Sequence, residues 1–184
     1  MTIQERFYDV YTAFPGRIPH VEGVKTWAEF LAEKNGVDAD QMAQAAYLHD
    51  LTKYEPDGWH HALFDKSGVP AWKALPPFMY HGYSASLIAA EYELDQVFID
   101  AVKHHTTGRA NMQTAEKILM LADKIEPSRP YPEAATLRDL ATHDLEAAFK
   151  AMLHHLYGFD QTHGRLNAYN YETYAFYIPE RVAE

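Results

Sequence analysis

The stretch AAYLHDLTKYEP, residues 45–56, decides how the rest of the chain is read. Small and apolar residues recur here at helical spacing, yet the face that carries Ala45 and Ala46 also carries His49, Asp50 and Lys53. An ionised carboxylate on a buried face costs roughly several kcal/mol unless a cation compensates it. A metal ion removes that cost, and adjacent imidazole and carboxylate groups can both reach one. A carboxylate has two oxygens, so Asp50 can bridge two ions, which a single imidazole nitrogen cannot do. A His-Asp dipeptide alone is common by chance, so the reading depends on ligands elsewhere.

Four further groups of ligand type fall on inward positions. His20 opens the preceding helix on the side of Val24 and Ala28, and His81 opens a later helix just before Gly82. In KHHTTGR, the apolar face set by Val97, Phe98, Ala101 and Val102 centres near His105, with His104 at its edge; His105 is therefore the candidate ligand. Asp123 sits inside KILMLADKI, where a carboxylate needs a partner. Four imidazoles and two carboxylates suit two octahedral ions, iron or manganese, better than a tetrahedral structural zinc. The expected centre has His20, His49, Asp50 and Asp123 around one ion, with Asp50 bridging to a second ion held by His81 and His105. His60, His61, His143, His154, His155 and His163 are read as loop or exposed residues without a role.

The 184 residues fit one domain, 1–184 with a core of about 17–160, and no apolar run is long enough for a membrane span. MTIQERFYDV has neither the basic start nor the apolar centre of a secretion signal, which points to the cytoplasm. There is no cysteine, so thiolate sites and disulfides are excluded. A net charge of −10 argues against a nucleic-acid duplex or an anionic membrane as partner. A homodimer is compatible with the sequence.

Periodicity predicts an all-α chain. Residues 17–36 read as a helix ended by Asn35-Gly36, and the next helix runs from an Asp38/Gln41 capping box to about Tyr54. The Pro- and Gly-broken excursion 57–80 is expected to hold at most a short helix and to act as a lid or pocket wall. Helices resume at 81–94, 95–105 and 114–127, the last apolar almost all round. EAATLRDLATHDLEAAFKAMLHHLYGFD reads as one long amphipathic helix, and the tail NAYNYETYAFYIPE is ambiguous.

The ordered set His20, His49-Asp50, His81, His105 and Asp123 resembles the HD-domain superfamily of metal-dependent phosphohydrolases, an all-α bundle. LHDLTK, HHTTGRANM and LADKIEPSRPYP are similar to the YqeK-type symmetrical bis(5′-nucleosyl)-tetraphosphatases of bacteria, in which a histidine before TTGR and an ADYIEP-type segment recur. The resemblance runs over about residues 17–160; MYHGYSAS and the tail from Arg165 depart from it. It implies a di-iron enzyme that cleaves diadenosine tetraphosphate to two ADP through a metal-activated bridging hydroxide, with the six ligands named above. Lys53, on the face of Asp50, would neutralise phosphate charge. Arg109 and Arg129 can fork onto phosphates, and Thr106 and Thr107 can orient His105 or a phosphate. Tyr83, with Trp59, Phe64, Trp72, Phe78 and Tyr80, offers stacking surface for adenine. The competing readings are a nucleotide phosphomonoesterase of the same fold and a non-catalytic nucleotide-binding module with a structural metal.

Overall fold

The computed structural model describes residues 1–183, and among them there is no strand. Helix α1 (Ile3–Tyr11) starts in a capping box in which the Glu5 amide donates to Thr2 Oγ1 and Thr2 N–H donates to Glu5. Its buried residues Ile3, Phe7 and Tyr11 recur at a spacing of four and enter the core. Helix α2 (Ile18–Lys34) ends as the sequence predicts. Gly36 takes φ +69°, and Val37 N–H donates to Ala32 O at 2.9 Å, the six-to-one bond that satisfies an orphan carbonyl. Asp38 caps α3 (Ala39–Leu48) by accepting from Gln41 N–H.

Helix α3 stops six residues short of the expected end at Tyr54. His49 is its C-cap, and the chain then tightens into i→i+3 bonds from Leu51, Lys53 and Glu55. His49 and Asp50 therefore occupy a turn at the helix end, where side chains fan out more widely than along one face. The excursion holds more helix than expected: α4 (Asp57–Lys66) is ten residues long, followed by two short 3₁₀ turns. The turn residues Pro56 and Gly68 bound this helix and do not break it. Helices α5 (Tyr80–Ala89), α6 (Gln96–His104) and α7 (Thr114–Ile125) follow.

The predicted long helix is two, α8 (Glu133–Ala141) and α9 (Leu145–Thr162). Asp144 breaks it, because its carboxylate accepts from Ala147 N–H and starts a new helix, as an N-cap does, while the apolar pattern runs on across the break. The ambiguous tail forms α10 (Ala168–Tyr177), capped by Asn167, and a final turn α11 (Pro179–Val182).

Helix α7 is the centre of the packing. Ile118, Leu119, Met120, Leu121 and Ala122 are all buried, and α2, α3, α6, α8 and α9 pack around them. Each such fully buried large side chain contributes about 1.5–3 kcal/mol of transfer free energy. Ala28, Ala45 and Ala46, all without exposed surface, let α2 and α3 come close together. One apolar cluster joins α1 to α9, and a smaller one of Phe64, Leu75, Met79 and Tyr80 sits under the 57–80 segment.

Candidate metal centre

The packing brings six polar side chains into the apolar interior. His20 enters from the first turn of α2, His49 and Asp50 from the end of α3, His81 from the first turn of α5, His105 from the end of α6 and Asp123 from α7. All but His81 are buried, and His81 keeps 11 % of its side chain exposed. Helix ends suit this work, since a terminal side chain looks along the bundle into the gap between neighbours.

Asp50 divides the group. Its Oδ2 lies 3.4 Å from His49 Nε2 and 3.8 Å from His20 Nε2, while its Oδ1 lies 3.3 Å from His81 Nε2 and 3.8 Å from His105 Nε2. Asp123 Oδ1 is on the first side, 3.2 Å from His20 Nε2 and 3.9 Å from His49 Nε2. Two triads, His20–His49–Asp123 and His49–Asp50–His105, each have ligand atoms within 4.8 Å of one another.

The partners of the ring nitrogens fix the tautomers. His49 Nδ1 is 2.6 Å from Ala46 O, and His105 Nδ1 is 2.7 Å from Val102 O. A carbonyl only accepts, so both rings carry their proton on Nδ1, and in a neutral ring Nε2 is a bare lone pair. His20 Nδ1 likewise donates to Glu126 Oε1 at 2.8 Å. The Nε2 atoms of His20 and His49 are buried with no hydrogen-bond partner. Burial pushes His81 and His105 below the usual imidazole range, which keeps them neutral. Burial alone would raise Asp50 and Asp123. The neighbouring His49, His105 and His81 hold Asp50 well below the carboxylate range, and Lys124, His20 and Arg129 do the same for Asp123. Nitrogen lone pairs and ionised oxygens thus share one buried space: Arg17 and Lys53 pair with Asp50, Lys124 and Arg129 pair with Asp123, and the Nε2 atoms of His20 and His49 are left without a donor. The donor set fits divalent metal ions.

The predicted substrate contacts are placed unequally. Lys53 Nζ lies 3.1 Å from both Asp50 oxygens with 36 % of its side chain exposed, and Thr106 Oγ1 lies 3.3 Å from His105 Nε2 and 3.5 Å from His81 Nε2. Arg129 borders the centre through Asp123, donating to both its carbonyl and its carboxylate. Three of these residues have partners of their own in the scaffold. The Thr107 hydroxyl is buried and donates to Gly108 O; Arg109 forks onto Glu116 at 2.7 and 2.8 Å; Tyr83 lies edge-on to Trp72 with Lys103 over its ring. Each is held in the scaffold. Glu116 also accepts from His104 Nδ1 at 3.1 Å, which turns His104 away from the centre.

Sequence reasoning missed three residues. Arg17 donates to Asp50 Oδ2 through Nε at 3.1 Å and through a second nitrogen, so it faces the same carboxylate as Lys53. Its signal was a cation three residues before His20 at a helix start. Glu126 fixes the His20 tautomer, and Gly23 is there to admit it, since a Cβ at Gly23 would meet Glu126 Oε2 at 2.9 Å. His60, read as a role-free loop residue, is 3 % exposed and lies 2.8 Å from Ser84 Oγ; that hydroxyl meets Thr52 Oγ1, which donates to the His81 carbonyl. No spacing signal exposed this chain, because it crosses three separate elements.

The C-terminal helix closes the His105 side. Thr173 Oγ1 donates to Thr107 O at 2.8 Å, and the Met112 amide donates to Tyr177 Oη at 2.5 Å. Gly108 has φ +68°, and a Cβ there would meet Thr173 Cγ2 at 2.7 Å, so only glycine admits α10 at this turn.

A family model described as "HD domain" matches residues 17–128. A symmetrical bis(5′-nucleosyl)-tetraphosphatase of Bacillus subtilis (strain 168) is 34 % identical over 135 residues, covering 72 % of this chain and 73 % of its own. A protein of the same name from Halalkalibacterium halodurans is 30 % identical over 145 residues, covering 74 % and 75 %. A Clostridium acetobutylicum crystal structure, described as a predicted HD-superfamily hydrolase involved in NAD metabolism, superposes with a TM-score of 0.85 at 25 % identity over 98 % of both chains. No helix among the described residues is long and apolar enough to cross a membrane.

Proposed function

The chain belongs to the HD-domain family, and we propose that within it this protein hydrolyses diadenosine tetraphosphate and related dinucleoside polyphosphates symmetrically, to two ADP. The observation that carries the metal-dependent part is the division of Asp50, with one oxygen toward His20 and His49 and the other toward His81 and His105. The relatives that bear the tetraphosphatase name support the substrate.

In this reading His20, His49, Asp50 and Asp123 hold one divalent ion, and Asp50, His81 and His105 hold a second. The nitrogen and oxygen donor set, with no cysteine, favours iron, with manganese as a substitute. Such ions, when bound, acidify coordinated water and polarise phosphoryl oxygens.

The chain supplies the rest. Lys53 and Arg17 face the Asp50 carboxylate from the open side and are placed to neutralise the equatorial and leaving oxygens of the reacting phosphate. Thr106 lies beside the Nε2 atoms of His81 and His105, where its hydroxyl can hold an incoming water or a phosphate oxygen. Water adds to an inner phosphorus, and the central bridging P–O bond breaks. One ADP leaves with the bridging oxygen and the other carries the oxygen from water. The carbonyls of Ala46 and Val102 hold the Nδ1 protons of His49 and His105, and Glu126 holds that of His20, so those rings stay in the coordinating tautomer throughout.

The test is product analysis of purified protein with diadenosine tetraphosphate and ferrous or manganous salt. ADP as the sole nucleotide product is expected. AMP with ATP, release of inorganic phosphate from nucleoside monophosphates in preference, or no turnover with either metal would each refute the proposal. Elemental analysis of protein purified without added metal tests the choice of iron.

A further inference from the structure

The excursion that seemed to offer stacking surface is mostly spent on the core, since Phe64 and Tyr80 are buried and Trp72 lies edge-on to Phe64 and Tyr83. A different aromatic surface is carried by the two segments that also bring Arg17 and Lys53 to Asp50. Phe14 and Tyr54 stack with ring centroids 4.2 Å apart and planes inclined by 26°, and they are 41 % and 49 % exposed.

Both residues are tied to the centre by short routes. Tyr54 follows Lys53 directly, and Lys53 Nζ lies 3.1 Å from each Asp50 oxygen. Phe14 O accepts the Arg17 amide at 3.0 Å, and the Arg17 guanidinium reaches Asp50 Oδ2. Tyr11 lies edge-on to Tyr54 at 6.1 Å, and its hydroxyl donates to Asp50 O at 2.6 Å. Tyr54 covers one face of the Phe14 ring, and much of the pair is left to solvent. A stacked pair of this kind presents a large apolar π-surface, which water solvates poorly and a purine solvates well. The two cations on the Asp50 carboxylate, Lys53 and Arg17, come from the same two short segments as the rings. A nucleotide likewise joins a base to phosphate charge and a reacting phosphorus.

We infer that the Phe14–Tyr54 pair is the platform on which a purine of the dinucleoside polyphosphate stacks, with Arg17 and Lys53 receiving the phosphates that lead from that base to the metal centre. The inference rests on the function proposed above and adds the residues that hold the base. Stacking recognises the flat face of a base and not its edge, so this subsite accepts adenine and guanine alike.

The experiment is calorimetric titration of manganese-loaded protein with ADP and, separately, with pyrophosphate, which has the charge and lacks the base. Phe14→Ala and Tyr54→Ala should each weaken ADP binding by about 5- to 100-fold, the range for losing one base–aromatic stack, and leave pyrophosphate binding as in the wild type. Tyr54→Phe should restore ADP affinity, because it keeps the ring. ADP affinity unchanged in both alanine variants, loss of ADP and pyrophosphate affinity together, or a wild type that binds the two ligands equally would overturn the inference. Turnover of diadenosine tetraphosphate by the same wild-type preparation separates the two claims. If ADP is produced while the variants bind it normally, the platform alone is wrong. If no ADP is produced while the alanine variants lose ADP affinity and keep pyrophosphate affinity, the platform stands and the proposed reaction falls.

Discussion

Gly82→Ala is the most informative single change, because its sign is opposite to the usual one. In the interior of an ordinary exposed helix, replacing glycine with alanine stabilises by about 0.5–1 kcal/mol through chain entropy. At Gly82 the new Cβ would lie 3.0 Å from Lys103 O, 3.3 Å from Val102 O and 3.3 Å from His105 Cε1. Two of those three atoms are backbone carbonyl oxygens of α6, which cannot rotate aside as a flexible side chain would. Relief therefore requires α5 to move away from α6 by a few tenths of an ångström, and overpacking of this kind costs about 1–3 kcal/mol. The entropic gain offsets part of that, leaving a net loss of about 1–2 kcal/mol, or roughly 2–8 °C in Tm for a chain of this size.

The same shift acts on the site. His81 and His105 face each other across this contact with Nε2 atoms 3.1 Å apart, and metal–ligand distances tolerate only about 0.2 Å of error. Gly82→Ala should therefore lower the metal content per chain after equilibration with limiting manganese as well as Tm. Thermal melting followed by circular dichroism and elemental analysis on the same sample read both quantities. A Tm equal to or above that of the wild type, with unchanged metal content, would refute the claim that close α5–α6 contact sets the His81–His105 pair.

Glu116 carries a pH prediction. His104 and Arg109 overcome its burial and hold its carboxyl at about 2, below the ordinary 4.5. A carboxyl depressed by folding stabilises above its unfolded pKa and loses that contribution as pH falls through the folded value. Glu116→Gln should then lower Tm at pH 7, with the gap to wild type closing between about pH 4.5 and 2; an equal gap at pH 3 and pH 7 would contradict this. His60→Ala opens a cavity and takes one partner from the Ser84 hydroxyl, which keeps Thr52 and Tyr80, at a cost of about 1–3 kcal/mol, and should lower both Tm and metal content. His61→Ala, at a more exposed ring, should be milder on both readouts. His105→Ala should release metal while His104→Ala retains it, because His104 is engaged with Glu116; elemental analysis showing the reverse would mean that the wrong histidine of the pair faces the centre.

The parts of the fold legible in the sequence were those set by local chemistry. The Asn35-Gly36 stop, the Asp38 cap and the all-round apolar run of α7 each follow from a few adjacent residues. The break at Asp144 was hidden because the apolar periodicity continues across it, and a single cap decided the outcome. The six ligand-type side chains could be picked out because a polar group on an inward face conflicts with its own helix. Arg17, Glu126 and His60 conflict with nothing nearby. Their meaning comes from Asp50, His20 and Ser84, which lie 33, 106 and 24 residues away in the chain. The tail from Arg165 departed from the family in sequence, and yet the Clostridium structure superposes over 98 % of the chain, so the tail's path is kept.

The bond from Thr173 to Thr107 spans 66 residues, and it sets an order of events during synthesis. At translation rates of about 5–20 residues per second, the turn behind His105 leaves the ribosome roughly 3–13 s before the helix that braces it exists. For most of that interval, once Asp123 has followed, the nascent chain holds all six candidate ligand side chains, but the turn beside His105 lacks its clasp. Ions that the unfinished polypeptide picks up would be held loosely and exchange freely, and selective loading would wait until the last helix has docked.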